Sequence, residues 1–502
     1  MLLAKLIRSL DVLEQRGNMD VEIGDISYHS KQIKKGDLFV AIKGAKSDGH
    51  QFIEEAIRGG ACAIMVEQSP PHPVDVTVVL VRDSRKALAQ ISAEFFGQPS
   101  EEMKVVGITG TNGKTTSSYL IESILQKAGR RVGTIGTINY RFEGKELPAS
   151  TTTPQSYDLQ RLLREMRARG AEYVVMEVSS HALDQERVKG CHFDVGVFTN
   201  LSPEHLDYHV DIEGYFKAKK RFFKEILTEA YNKDPWIVFN VDDPLLRDFK
   251  RELPPLRVMT YGLDNGDIQV ASKEVSLLGI RAVFYTPSGL CEIGSSLTGD
   301  HNVYNIMTAI AVGICLEISL ETIQLGIKTL TQVPGRMEKV GDGSPLVIID
   351  YAHTPDALEK AIKGMKRLTR GRLIVVFGCG GDRDKSKRPL MGRIGAEWSD
   401  VTIITSDNPR TENPYKIIEA IEVGAREVSP RRYMVIADRR EAIKRAIALA
   451  DPHDVVLIAG KGHENYQIIG EERFPFDDRE EAQKALAERC DISEDHGTVC
   501  SA

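Results

Sequence analysis

The sequence predicts an α/β protein in three domains, and three observations predict it. Short apolar, β-branched runs alternate with helical patterns along most of the chain, the order expected of helices packed on parallel sheets. Two breaks interrupt that alternation, the polar link Gln98-Pro99-Ser100-Glu101-Glu102 and the turn Val333-Pro334-Gly335-Arg336. The chain is 502 residues long, a length that suits about three domains. The expected division is 1–100, 101–334 and 335–490, with the small, polar stretch 491–502 as a disordered tail.

In the first domain Asp37-Leu38-Phe39-Val40-Ala41-Ile42, Ala63-Ile64-Met65-Val66 and Val76 to Val81 read as strands. Phe52 to Arg58 and Ser84 to Phe96 carry helical patterns between them.

The second domain opens on the most informative stretch of the chain. The apolar run Val105, Val106, Ile108 enters Gly107-Ile108-Thr109-Gly110-Thr111-Asn112-Gly113-Lys114-Thr115-Thr116, and a helix-like segment from Ser117 to Lys127 leaves it. Strand, glycine-rich turn and helix form a phosphate-binding loop, because glycines let backbone N–H groups converge on phosphate oxygens. The helix N-terminus adds about half a positive charge. Lys114 adds a mobile full charge, and Thr115 stands where such loops coordinate Mg²⁺. The strict pattern would have Gly where Ile108 stands. The plainer alternative is an ordinary glycine-rich turn. The central domain is therefore expected to be P-loop ATPase-like. Its further strands are Tyr173-Val174-Val175-Met176-Glu177-Val178, Val195-Gly196-Val197-Phe198-Thr199 and Trp236-Ile237-Val238-Phe239-Asn240, with an apolar helix from His301 to Leu316.

The third domain has strands Leu346 to Asp350, Leu373 to Gly378, Val401 to Thr405 and Asp454 to Gly460, separated by helical segments. That is a doubly wound, Rossmann-like pattern, in which ligands bind beyond the carboxyl ends of the strands.

Composition excludes several functions. Net charge is −7 and no polybasic block occurs, which argues against nucleic acid or an anionic membrane as partner. Met1 to Leu13 carries Lys5, Arg8 and Asp11 and has no long apolar core, so no signal peptide is expected. No apolar run approaches the length of about 20 residues that spans a bilayer, and no membrane insertion is expected. Seven cysteines are scattered with no Cys-x-x-Cys pair; reduced thiols in the cytoplasm are the expectation.

Other strand ends carry candidate chemistry. Glu177, followed by Val178-Ser179-Ser180-His181, can take Mg²⁺ near a phosphate loop; the alternative is a helix cap with Glu177 as a surface charge. Thr199-Asn200-Leu201-Ser202-Pro203-Glu204-His205-Leu206-Asp207-Tyr208-His209 packs two His with Asp and Glu, which suits metal or acid–base work, with His205 favoured. Asn302 and Asn305 share a helix face and suit a purine edge, though an Asn-capped helix start explains them equally. Gly378-Cys379-Gly380-Gly381-Asp382-Arg383, Ser406-Asp407-Asn408-Pro409-Arg410 and Gly460-Lys461-Gly462-His463-Glu464 each follow a strand. Arginine forks with carboxylates nearby suit a zwitterionic ligand. Gly460-Lys461-Gly462-His463 is not a second phosphate loop, since no Ser or Thr follows the lysine.

Gly110 to Thr116, Glu177 to His181, Thr199-Asn200 with Glu204-His205, and Asp350-Tyr351-Ala352-His353-Thr354-Pro355 together resemble the Mur ligases, ATP-dependent amide-forming enzymes of peptidoglycan precursor synthesis. The resemblance runs from about residue 25 to about residue 480. It implies a ligase that adds meso-2,6-diaminopimelate to UDP-N-acetylmuramoyl-L-alanyl-D-glutamate through an acyl phosphate. Asp407-Asn408-Pro409-Arg410 is typical of members that add diaminopimelate, and lysine-adding members usually depart from it at the Arg. In this family the first domain binds the UDP substrate, the second ATP and the third the amino acid.

The resemblance also implies residue roles. Gly110, Thr111, Asn112, Gly113, Lys114, Thr115 and Thr116 hold the ATP phosphates, while Asn302, Arg336, Asp350 and His353 lie around the nucleoside. Thr115 and Glu177 hold one Mg²⁺, and His205 helps bind a second. Lys219, in Tyr215-Phe216-Lys217-Ala218-Lys219-Lys220, matches a lysine that the family carbamylates into a metal-binding anion; by itself the sequence makes it a solvated helix lysine. Ser30, Thr152, Thr153, Ser179, Gln185 and Arg187 match the site of the UDP-linked dipeptide. Arg383, Asp407, Asn408, Arg410, Gly460 and Glu464 match the diaminopimelate site. The chain departs from many relatives in having His29-Ser30-Lys31 for Asp-Ser-Arg and Glu204-His205 for Asp-His. A cytoplasmic monomer is expected. The rivals are a lysine-adding ligase, a folylpolyglutamate synthase, a P-loop motor or switch, and a silent binding protein.

Overall fold

A computed structural model describes residues 1–44, 47–229, 233–341, 343–429 and 432–495. The chain forms two compact units. One comprises Met1–Leu201, Asp211–Tyr261 and Ala311–Ile318; the other comprises Ser202–Val210, Gly262–Ile310 and the chain from Ser319 onward. No helix among the described residues is long and apolar enough to cross a membrane.

The first unit holds two sheets. Strands β1 (Val12–Arg16), β2 (Ile26–Ser27), β3 (Leu38–Val40), β4 (Ala63–Val66) and β5 (Thr77–Val81) lie in the order β1-β5-β4-β3-β2. All pairs are parallel except β1 with β5. Side chains alternate between the two faces of a strand. Leu38, Val40, Ala63 and Met65 pack with Leu88 and Ile91 of the helix Ser84–Phe95. Phe39, Ile64 and Val66 pack with Ile53 and Ala56 of the helix Ile53–Gly59. Burial on both faces explains why these strands read as unbroken apolar runs.

The second sheet contains β6 (Lys104–Thr109), β7 (Val132–Ile135), β8 (Asn139–Phe142), β9 (Lys145–Pro148), β10 (Tyr173–Glu177), β11 (Val195–Phe198), β12 (Trp236–Asn240) and β13 (Arg257–Tyr261). Their order is β13-β12-β11-β6-β10-β7-β8-β9. β13 through β7 run parallel, and β8 and β9 form an antiparallel extension. From β6 the chain passes first to one side and later to the other, which makes the end of β6 a switch point where α/β sheets bind ligands. The ends of β10 and β11 flank it, with Glu177 opposite Ile108 and Phe198 opposite Thr109.

In the second unit β14 (Gln269–Val275), β15 (Ile280–Thr286) and β16 (Gly289–Ser295) form an antiparallel sheet. Strands β17 (Glu338–Val340), β18 (Leu346–Asp350), β19 (Leu373–Phe377), β20 (Val401–Ile404), β21 (Tyr433–Val435) and β22 (Val455–Ala459) form a larger one in the order β17-β18-β22-β19-β20-β21. Only β17 is antiparallel. Ile348, Val375, Phe377 and Leu457 face the helices Pro355–Leu368, Lys387–Trp398 and Pro414–Val428. Val347, Ile349, Ile374, Val376 and Ile458 face the helix Arg439–Leu449 and the C-terminal helix. The sheet is therefore doubly wound, and the ends of β22, β19 and β20 are neighbours. A hairpin of β23 (Tyr466–Ile469) and β24 (Glu472–Pro475) follows β22.

Two expectations need correction. The helix after the phosphate loop begins at Lys114, not Ser117, because Gly113 at φ +87° turns the chain straight into it. The C-terminal helix runs Asp478–Asp495, so residues 491–495 are helical and not a disordered tail. Buried Ala482 and Ala485 seat that helix on the sheet, and propagation carries it onward. Residues 496–502 lie outside the described residues.

Arg439 and Asp478 form a fully buried pair beneath the strand ends. Nε and Nη2 of Arg439 each donate to the Asp478 carboxylate at 2.7 Å, and Nη2 also donates to Ala459 O at 3.0 Å. Removing one partner strands a buried charge, which typically costs about 3–5 kcal/mol. Asp478→Asn should lower stability by that order in urea unfolding followed by circular dichroism. A loss below about 1 kcal/mol, the value of an exposed pair, would refute the role.

Candidate active site

The phosphate loop forms at the end of β6. Gly110 sits at φ +142°, and a Cβ there would stand 1.9 Å from Thr199 Oγ1, so only glycine fits. The loop is tied to the chain after β11: Thr199 Oγ1 donates to Asn112 O at 2.7 Å, and Asn112 N donates to Asn200 Oδ1 at 2.9 Å. This pairing is why Thr199-Asn200 accompanies the loop in the sequence. Lys114 folds back over the loop, its Nζ donating to Gly110 O at 2.9 Å and Thr111 O at 2.8 Å. Thr115 and Thr116 lie buried in the first helical turn.

Glu177 is 1% exposed, which rules out a surface charge. Its carboxylate accepts from Thr115 Oγ1 at 3.0 Å, from Thr137 N at 3.0 Å and from Thr137 Oγ1 at 2.9 Å. A buried carboxylate needs such donors, and here they come from the loop helix and from the turn after β7. Thr137 is the residue that sequence reasoning missed. Its signal is faint, one Thr in the turn Gly136-Thr137-Ile138, and only the pairing of β7 with β10 brings it to Glu177.

The network continues outward. Thr137 Oγ1 lies 3.2 Å from Thr152 Oγ1, and Thr153 Oγ1 donates to Glu177 O at 2.8 Å. Ser179 N donates to Thr153 Oγ1 at 3.1 Å, and Ser179 Oγ caps the next short helix by accepting from Ala182 N. Arg187 donates to Thr153 O at 2.8 Å and to Gln185 Oε1 at 2.8 Å. Thr152, Thr153, Ser179, Gln185 and Arg187 therefore gather beside Glu177. A cavity of about 520 Å³ opens next to them, lined by Tyr28, Thr151, Asp158, Arg161 and Arg187. Ser30 does not line it; its hydroxyl donates to Glu55 Oε2 at 2.5 Å.

Lys219 is 1% exposed, whereas Lys217 of the same helix, Ile212–Arg221, is exposed. Its Nζ donates to Gly110 O at 2.9 Å and stands 4.5 Å from the centre of the Tyr215 ring. The Tyr215 hydroxyl is 3.2 Å from Thr111 Oγ1. The solvated lysine that the sequence alone gives is thus corrected: tertiary packing turns this face of the helix onto the phosphate loop.

In the second unit, Arg336 stacks on Tyr351 with its Cζ 4.6 Å from the ring centre, and His463 lies 5.0 Å from the same ring. Asp350 accepts from Met337 N at 2.8 Å and Ala352 N at 2.9 Å, fixing the turn after β18. His353 Nδ1 lies 2.8 Å from Tyr351 O, and burial followed by the Lys387 charge holds its pKa below the ordinary histidine value. Gly335 and Gly462 meet backbone to backbone: a Cβ on Gly335 would stand 2.2 Å from His463 N, and one on Gly462 would stand 2.9 Å from Gly335 O. The glycines of Gly460-Lys461-Gly462-His463 thus serve close packing. Asn302 donates to Thr298 O at 2.7 Å and accepts from Asn305 Nδ2 at 2.8 Å, so these amides bond within their own helix start. His205 is exposed with φ +56°, and its Nε2 lies 3.8 Å from Glu204. The Asp207 side chain lies outside the described residues, and among those described no group of three His, Cys, Asp or Glu could hold a metal ion.

Burial, then the Arg336 and His353 charges, pushes the His463 pKa down to about 3. The ring stays neutral while the unfolded chain takes up a proton below its ordinary value of 6.5. Stability must therefore fall as pH drops from 6.5 toward 3. The thermal midpoint of the wild type should fall more steeply over that window than that of His463→Gln. Equal slopes would show that the ring is not held neutral.

The ends of β19, β20 and β22 come together as the strand order requires. Asp407 and Asn408 are buried. Asn408 Nδ2 donates to Glu464 Oε2 at 2.8 Å, and Asn408 Oδ1 accepts from Lys461 Nζ and Ile468 N, each at 3.0 Å. Gly460, at φ +114°, leaves room for Asp407, whose Oδ2 would stand 3.1 Å from a Cβ there. Arg410 holds φ +52°, and its Nη1 donates to Gly381 O at 2.7 Å. Such a backbone is strained for a residue with a Cβ and persists only where surroundings fix it. Here Arg410 N donates to Ile468 O and Gly470 N donates to Arg410 O. Arg383 is exposed on the neighbouring loop and donates to Asp382 O at 3.2 Å.

Comparison with known proteins matches this architecture. Residues 22–96 match the model of the Mur ligase family catalytic domain, residues 108–313 the Mur ligase middle domain, and residues 335–462 the Mur ligase glutamate ligase domain. The UDP-N-acetylmuramoyl-L-alanyl-D-glutamate--2,6-diaminopimelate ligase of Geobacter metallireducens is 46% identical over 97% of this chain and 99% of its own. The ligase of the same name from Geobacillus kaustophilus is 44% identical over 94% and 96%. A solved structure of a ligase of that name superposes with a TM-score of 0.71 at 32% identity, covering 99% of this chain and 100% of its own. Phosphate loop, buried Glu177 network, doubly wound C-terminal sheet and near full-length identity agree, and the chain belongs to the Mur ligase family.

Proposed function

We propose that this protein is an ATP-dependent ligase that joins meso-2,6-diaminopimelate to UDP-N-acetylmuramoyl-L-alanyl-D-glutamate in peptidoglycan precursor synthesis. The observation that carries this reading is the unbroken hydrogen-bond path from Thr115 through Glu177 to Thr153 and Arg187. It links residues suited to phosphate with residues suited to an acidic peptide. In this reading residues 1–100 serve the UDP moiety, 101–334 ATP and 335–490 the incoming amino acid, in a cytoplasmic monomer.

The reaction brings anions together. The glutamate carboxylate attacks the γ-phosphorus of ATP, ADP leaves, and an acyl phosphate forms. The diaminopimelate amine then attacks the acyl carbon, gives up a proton, and expels phosphate. Lys114 and the loop N–H groups neutralise the phosphates, and Arg187 holds the dipeptide. Arg336, Asp350, His353 and Asn302 surround the nucleoside. Thr115 and Glu177 offer buried oxygen donors 3.0 Å apart, a hard set that fits Mg²⁺. In our assignment carbamylated Lys219 adds a metal-binding anion, and His205 helps bind a second Mg²⁺. Bound there, Mg²⁺ would supply charge neutralisation on the transferring phosphoryl group.

Arg410, Arg383, Asp407, Asn408, Gly460 and Glu464 receive the amino acid. A guanidinium fork at Arg410 pairs with the distal carboxylate, which lysine lacks. A site left with an unpaired charged donor discriminates by several kcal/mol.

Phosphate release by the purified protein with Mg-ATP and the UDP-linked dipeptide tests this. Release that requires the dipeptide and diaminopimelate is expected. Release with L-lysine would overturn the role of Arg410, and release independent of the dipeptide would overturn the function.

A further inference from the structure

Lys461 is fully buried at the end of β22, yet every polar group it meets belongs to the amino-acid site. Its Nζ lies 3.0 Å from Asn408 Oδ1, 3.4 Å from Glu464 Oε2 and 3.7 Å from Asp407 Oδ1. The Tyr466 ring, with its centre 5.7 Å away, closes another side. A buried ammonium is costly unless its hydrogens find acceptors, and here each acceptor is a group that must stay in place for a zwitterionic ligand. Two consequences follow from the geometry. First, an amide has one carbonyl end: with Asn408 Oδ1 held by Lys461 and Ile468 N, Asn408 Nδ2 must face Glu464, as it does at 2.8 Å. Second, two carboxylates share one internal ammonium, so Asp407, Glu464 and Lys461 together sum to one negative charge. That is the charge complement of one substrate ammonium.

We propose that Lys461 is a positioning residue for the acceptor amino acid: an internal ammonium that orients Asn408 and holds Asp407 and Glu464 ready to receive one external ammonium group. This rests on the amino-acid site assigned above. Without Lys461 the two carboxylates face each other across Asn408 with no counter-ion. They repel one another, and the acceptor site for the ammonium is lost. The Lys461 Nζ pairs with none of the residues assigned to ATP or the dipeptide.

The test is steady-state phosphate release by the full-length enzyme, wild type against Lys461→Met and Lys461→Gln, with diaminopimelate, ATP and dipeptide varied in turn. Truncating one member of a buried charged cluster commonly weakens binding by at least about 30-fold. KM for diaminopimelate should therefore rise by about 30-fold or more in both variants. KM for ATP and for the dipeptide should stay within about 2-fold. The double variant Lys461→Met/Glu464→Gln should be no worse than Lys461→Met alone, because the stranded carboxylate is gone. Lys461→Gln keeps a donor for Asn408 and removes only charge, so it covers the case in which Lys461→Met does not fold. An unchanged KM for diaminopimelate in Lys461→Gln would overturn the proposal. So would equal losses for all three substrates, the mark of a merely structural residue. A wild type that turns over the dipeptide but ignores diaminopimelate would instead sink the assigned site.

Discussion

Lys219→Ala should reduce dipeptide- and diaminopimelate-dependent phosphate release by about 10³-fold or more, and a short-chain carboxylic acid should restore part of it. The size follows from losing a charge-neutralising centre, worth several kcal/mol at a phosphoryl-transfer transition state. The rescue follows from where the side chain lies. Lys219 is buried, with Nζ 2.9 Å from the Gly110 carbonyl that shapes the phosphate loop. Truncation leaves a hole beside that loop, open to a small anion in place of the carbamate we propose there. Lys217→Ala is the control, since Lys217 is exposed on another face of the same helix. Full activity of Lys219→Ala would remove the residue from the mechanism. Loss without rescue, in a folded variant, would leave the lysine essential and the carbamate unsupported.

The second large effect is expected at Lys114. Lys114→Met keeps the length and most of the volume and removes the charge. Its Nζ bridges Gly110 O and Thr111 O, so the fold itself holds the ammonium over the loop. Donors organised in advance cost no rearrangement when charge develops, and losing one commonly costs about 10²–10³-fold in kcat. Phosphate release should fall by that factor, with a smaller change in KM for diaminopimelate. A variant with wild-type kcat would show that backbone N–H groups alone neutralise the phosphates.

The sequence made some of this site legible and hid the rest. The phosphate loop was legible because its chemistry is local: glycines, Lys114 and Thr115 occupy adjacent positions at a strand–helix junction. Buried parallel strands were legible for the same reason, and Ala63–Val66, Trp236–Asn240 and Leu346–Asp350 form at the residues that read as strands. β14 to β16 were not read, because one face is solvated and polar residues interrupt the apolar run, as the alternate burial along β16 shows. Thr137 was hidden because its partner Glu177 is distant in the chain and near only across β7 and β10. The three lysines at 217, 219 and 220 cannot be ranked by composition. One is exposed, one meets Gly110, and one meets Glu252, and packing alone decides which.

The contact between Gly335 and Gly462 bears on how this sequence can drift. A side chain at Gly335 would strike the backbone of Gly462 and His463, and one at Gly462 would strike Tyr351 Cβ and Cα and Gly335 O. Most tight spots in a protein admit repair, since a bulky change at one position can be answered by a smaller side chain opposite. Here the opposing atoms are main chain and the Tyr351 Cβ, and no exchange of one side chain for a smaller non-glycine one removes them. Among descendants of this chain these two positions should be fixed separately, each without a compensating partner, even where the residues around them diverge freely.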